Sequence, residues 1–108
     1  MILIAAALLL AGGDQGALRQ SFSACLKQAN SEAKVANVGV DGFIAFVKNK
    51  CENVAGPFQT SLTDSNVSHG MSKKSAASDA ASQVDDYYSE RLENYKIELE
   101  PLPPAKPH

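Results

Sequence analysis

Cys25 and Cys51 are the only cysteines in the chain, and they lie where two amphipathic helices would bring them face to face. Around the turn residues Asn37 to Asp41, four pairs share one midpoint at Val38: Cys25 with Cys51, Phe22 with Val54, Leu18 with Phe58, and Ala29 with Val47. Facing residues of an antiparallel hairpin lie at equal distances from its turn, so thiols and apolar stripes specify the same register. Helix axes usually run about 8–10 Å apart, whereas a disulfide needs Cα atoms within about 7 Å. Ala29 and Ala55 are small enough to permit that approach. Closing a loop of this length disfavours the unfolded chain by about 3.5 kcal/mol in the loop-entropy description. The spacing lacks the Cys-x-x-Cys form of a redox pair, so a structural disulfide is expected. Two reduced, buried thiols are the alternative.

A bridge needs an oxidising compartment, and the start of the chain points to one. Ile2 to Ala11 is an unbroken apolar run followed by Gly12 and Gly13. It is too short for a membrane-spanning helix, which takes about 20 residues, and suits the apolar segment of a secretory signal. Ala11 and Gly13 supply the small residues for a cut ahead of Asp14, although no Lys or Arg precedes the run. We therefore expect a signal peptide over 1–13 and a periplasmic or secreted protein. A retained, membrane-tethering leader or a buried first helix is the alternative. Of the 95 residues beyond Gly13, only 19 are Leu, Ile, Val or Phe, so the core must be thin. Domains of this kind tend to need a covalent staple.

Three helical stretches follow. In the first, about Gln15 to Val35, Leu18, Phe22, Cys25, Leu26, Ala29, Ala33 and Ala36 fall on one stripe at about 100° per residue. Asp14 is its expected N-cap and Asn37-Val38-Gly39 its end. The second opens with Asp41 as expected N-cap and places Phe43, Val47, Cys51, Val54 and Phe58 inward, flanked by Ile44 and Leu62. Gly56-Pro57 should kink it, because Pro57 cannot donate to the carbonyl of Asn53; a break into two helices is the other reading. Gly70 should cap its end. The third runs from an N-cap at Ser72 to about Glu98, with Ala77, Ala81, Val84, Tyr88, Leu92, Tyr95 and Leu99 inward. Asp79, Asp86, Glu90 and Glu93 lie on the opposite side. From Pro101 onward the chain reads as an extended Pro-rich tail. The expected fold is all-α: an antiparallel hairpin stapled by one disulfide plus a long third helix, with a helical domain over 14–100 and a flexible tail over 101–108.

Little in this pattern carries chemistry. The net charge is −2 with no clustered basic face, which argues against nucleic-acid binding. His69 is the only histidine inside the domain and sits beside a helix end, where terminal carbonyls can engage it. With His108 alone in the tail, zinc has no ligand set, and no cofactor or metal is expected. Asp85 and Asp86 are adjacent, so on a helix they point about 100° apart and do not converge. Asn66-Val67-Ser68 matches a glycosylation acceptor, a pattern common by chance. No nucleophile–base arrangement can be assembled, and an enzyme is not expected. Two surfaces remain as candidates for meeting another protein. One is the acidic face of Asp79, Asp86, Glu90 and Glu93. The other is Phe46, which lies off the buried stripe unless it packs beneath the third helix.

Phe22-x-x-Cys25-Leu26, Asp41-x-Phe43-x-x-Phe46, Cys51, Gly70-Met71-Ser72 and Asp86-x-Tyr88 together resemble a group of small exported helical proteins of alphaproteobacteria, over most of residues 14–96. The resemblance implies a bacterial cell envelope and carries no activity across. The functional expectation is a non-enzymatic periplasmic or secreted interaction protein, an adaptor or inhibitor-like binder of an unknown protein partner. No membrane contact is expected once the leader is removed, and a homodimer would be a natural way to cover shallow surface. An acid-responsive envelope chaperone and a membrane-tethered protein are the alternatives.

Overall fold

A computed structural model describes residues 14–100; the expected signal peptide and Pro-rich tail lie outside the described residues. Among the described residues, three helices make up the fold: α1 (Gln15–Val35), α2 (Val40–Ser68) and α3 (Lys73–Leu99). α1 and α3 each pack along α2 and touch one another sparsely. This is the expected hairpin with a long third helix.

Local chemistry sets most helix ends. The Asp14 carboxylate accepts from the Gly16 N–H at 3.0 Å, and the Ser72 hydroxyl accepts from the Ser75 N–H at 3.2 Å. Each cap satisfies a backbone donor that the first helical turn leaves open. The two interhelix turns are built alike. After α1, Asn37 takes φ 56°, donating to Lys34 O at 3.1 Å while Val38 donates to Ala33 O at 2.9 Å. After α2, Gly70 takes φ 103°, donating to Val67 O at 3.0 Å while Met71 donates to Asn66 O at 3.1 Å. This paired closure requires one left-handed residue, which Gly and Asn adopt most readily.

Asp41 is not the N-cap of α2. Gly39 takes that position in extended geometry, without a side-chain cap, and Asp41 lies in the first turn. The closure of α1 runs through Val38, so the chain can re-enter helix immediately afterwards. The Asp41 carboxylate still suits the positive end of the helix dipole. Pro57 does not divide α2, which is one helix from Val40 to Ser68. Gly56, Pro57 and Asn53 are all exposed, so the missing hydrogen bond falls on the solvent side. Ala55, Phe58 and Leu62 hold the buried side in phase. Gly56 also suits its place, since a Cβ before proline would disfavour helical geometry.

The disulfide joins Cys25 to Cys51 with Cα atoms 5.8 Å apart. Cys51 is fully buried and Cys25 is half-buried. Ala29 and Ala55 are both in the core, as the close approach of α1 and α2 requires. The same core includes Phe22, Leu26 and Ala33 from α1, and Phe43, Val47, Phe58 and Leu62 from α2. Phe22 meets Phe58, Tyr87 and Tyr88 at centroid distances of 5.6, 5.5 and 5.4 Å. Phe43 stacks on Tyr95 at 4.2 Å. These aromatic contacts supply much of what the alanines cannot.

Three details of the expected stripes are corrected. Ala36 is the exposed C-cap of α1 rather than a core residue. In α3 the buried alanines are Ala76 and Ala80, not Ala77 and Ala81, and Leu99 is 47% exposed. The buried line Ala76, Ala80, Val84, Tyr88 advances in steps of four. Such a row drifts about 40° per step around the helix, which is the ridge that packs when two helices cross at an angle. A wheel drawn at 3.6 residues per turn assumes a line parallel to the axis and so selects Ala77 and Ala81.

Replacing Pro57 with Ala restores a donor to the Asn53 carbonyl and removes no packing. Pro57→Ala should raise stability to urea by about 1–3 kcal/mol, measured as an increased denaturation midpoint at unchanged slope.

Candidate interaction face

The outer side of α3 presents its carboxylates because Val84, Tyr88 and Tyr95 turn the other side into the core. Asp79, Asp86, Glu90 and Glu93 are all exposed there, but they are not equivalent. Asp79 accepts from Asn66 Nδ2 at 3.0 Å and from Gln83 Nε2 at 2.8 Å. The same Asn66 amide donates to Ala76 O at 3.2 Å. Asp79 and Asn66 therefore tie the start of α3 to the end of α2, and Asn66 is engaged in that tie rather than presented as a free glycosylation acceptor. Glu93 pairs with Lys96 at 3.1 Å on its own helix. Asp86 and Glu90 make no ion pair among the described residues and remain open to solvent, with exposed Asp85 beside them.

Glu90 borders a shallow groove of about 150 Å³ between α1 and α3. Leu26 and Tyr87 give it an apolar lining, with Ser23, Lys27 and Arg91 at its sides. It exists because α1 and α3 meet each other so little. Opposite charges stand beside an apolar surface here, an arrangement that can receive an amphipathic side chain from another protein.

Phe46 is half-buried and packed against the core, with the Lys50 ammonium 5.4 Å from its ring centroid. Its surface is thus already partly covered by protein. His69 Nδ1 lies 2.7 Å from Ser65 O, in the helix-end role its position suggests. Tyr88 is 5% exposed; burial pushes its phenol up from the usual value, with Glu52 and Asp85 adding to the effect.

Asn30 escaped the sequence reading. It is 4% exposed and donates from Nδ2 to Glu98 Oε1 at 2.8 Å, while its Oδ1 has no partner among the described residues. Lys34 Nζ also reaches Glu98 Oε1, at 2.5 Å. The lysine, followed by the Asn30 amide, holds the Glu98 carboxyl below its usual range. Asn30 stands four residues beyond Leu26 and eight beyond Phe22, on one buried ridge, and that spacing was the available signal.

Among the described residues, no group of three or more His, Cys, Asp or Glu side chains is placed to hold a metal ion. No described helix is long and apolar enough to cross a membrane. No family model, curated protein or solved structure matches the chain.

The two kinds of acidic residue should separate on substitution. Asp79→Ala should lower stability by about 1 kcal/mol because it removes the side-chain tie from Asn66 and leaves only the Asn66 bond to Ala76 O to join the two helix ends. Asp86→Ala should stay within about 0.5 kcal/mol of the parent. Urea titration of both variants provides the comparison.

Proposed function

We propose that this protein is a non-enzymatic binder of the bacterial cell envelope that meets a basic surface of another protein through the middle of α3. The observation that carries the reading is the pair Asp86 and Glu90. They are exposed on α3, and among the described residues no ion pair occupies them, unlike Glu93. Adjacent carboxylates of one sign raise the encounter rate with a cationic partner and weaken as salt rises. The disulfide is compatible with an oxidising compartment, and together with the apolar leader it supports export.

The compartment is tested by the intact mass of the chain from its native host, before and after reduction and alkylation. A chain beginning at Asp14, alkylated only after reduction, is expected; a full-length chain with two free thiols would remove the export reading. The binding face is tested by cross-linked capture of envelope proteins at low and high salt. A basic partner should be captured in a salt-sensitive manner, and Asp86→Lys with Glu90→Lys should reduce capture about tenfold or more. Undiminished capture by that folded double variant would show that another surface is used.

A further inference from the structure

We propose that the Asn30–Glu98–Lys34 contact is an acid-released latch holding the C-terminal end of α3 against α1. It stands independently of the binding face on Asp86 and Glu90. The last turn of α3 has little apolar hold, since Ile97 is 66% and Leu99 47% exposed. Besides the stack of Tyr95 on Phe43, two polar contacts hold it. Tyr95 donates its hydroxyl to Val38 O at 2.6 Å, in the turn between α1 and α2. One turn further on, Glu98 Oε1 accepts from Asn30 and pairs with Lys34, both on α1.

Asn30 makes this contact more than a surface ion pair. Its side chain is buried and its Oδ1 already lacks a donor, so the bond to Glu98 is the one its amide makes. Neutralising Glu98 replaces a charge-assisted bond with a weaker one and leaves Lys34 without its counter-ion. The groups acting on Glu98 are Lys34 and Asn30 from α1 and Arg91 from α3 itself; among the described residues, no ionisable group of α2 contributes. All three favour the ionised form. The contribution of the latch is therefore complete above the ordinary glutamate pKa of about 4.3. It is lost as the pH falls through the lower value that Glu98 has in the folded chain.

Release frees the end of α3 without breaking the hairpin, because the Cys25–Cys51 bridge joins α1 to α2 and does not involve α3. Phe43 and Tyr95, which stack on each other and are fully buried, lie next to the released turn.

The test is residue-resolved hydrogen exchange of the disulfide-intact chain at about pH 7 and about pH 3, corrected for intrinsic rates. Protection over residues 92–99 should fall about three- to tenfold in acid, as expected for losing a charged contact of this exposure. Protection in α1 and the middle of α2 should be retained. Glu98→Gln, which keeps an acceptor but no charge, should show the lowered protection already at neutral pH and little further change in acid. Three results would overturn the latch: equal protection at both pH values, loss of protection everywhere at once, or an unchanged acid response in Glu98→Gln.

Discussion

Burial of a broad apolar surface on α2 is the interaction through which the other two helices are placed. Phe43, Val47, Cys51, Ala55, Phe58 and Leu62 are all at most 7% exposed. With Ile44, Phe46 and Val54 partly covered beside them, the apolar arc spans roughly 180° at 100° per residue. An arc that wide accommodates two neighbours, and α1 and α3 use different parts of it. The disulfide sits within this arc and fixes α1 against α2, where alanines on both sides leave room for close approach.

A core built this way is thin, and its energetics are uneven. Alanine buries little surface, so stabilisation concentrates in the aromatic contacts of Phe22 with Phe58, Tyr87 and Tyr88, and of Phe43 with Tyr95. Each large side chain therefore matters more than it would in a leucine-rich bundle. Polar ties then settle how α3 lies on this surface. Asn66 and Asp79 anchor its beginning, Tyr95 reaches the turn after α1, and Glu98 reaches α1 itself. These contacts fix direction and register while adding modestly to stability.

The same division shapes what the surface can offer. Asp79 and Glu98, towards the two ends of α3, are held by neighbouring residues, whereas Asp86 and Glu90 in its middle make no ion pair among the described residues. The sparse meeting of α1 and α3 opens the groove beside it. An aromatic such as Phe46, which looks free on a helical wheel, is drawn against the core because the apolar arc on α2 extends to it.

The number and order of the helices, their Asp14 and Ser72 caps, the turns at Asn37 and Gly70, and the pairing of Cys25 with Cys51 were legible in the chain. These depend on local geometry, or on a hairpin register that spacing alone defines. Tertiary structure alone decided which α3 alanines are buried, because the line covered by the hairpin follows a four-residue ridge through Ala76, Ala80, Val84 and Tyr88 rather than the 3.6-residue period. It also decided that α2 passes through Pro57 unbroken, since packing on one side outweighs a hydrogen bond lost to solvent on the other. Sequence placed Asp79, Asp86, Glu90 and Glu93 on one face, but not which of them are already held. The roles of Asn66, Asn30 and Glu98 were likewise hidden, because hydrogen-bond partners 13 and 68 residues apart meet only when α3 is laid across the hairpin.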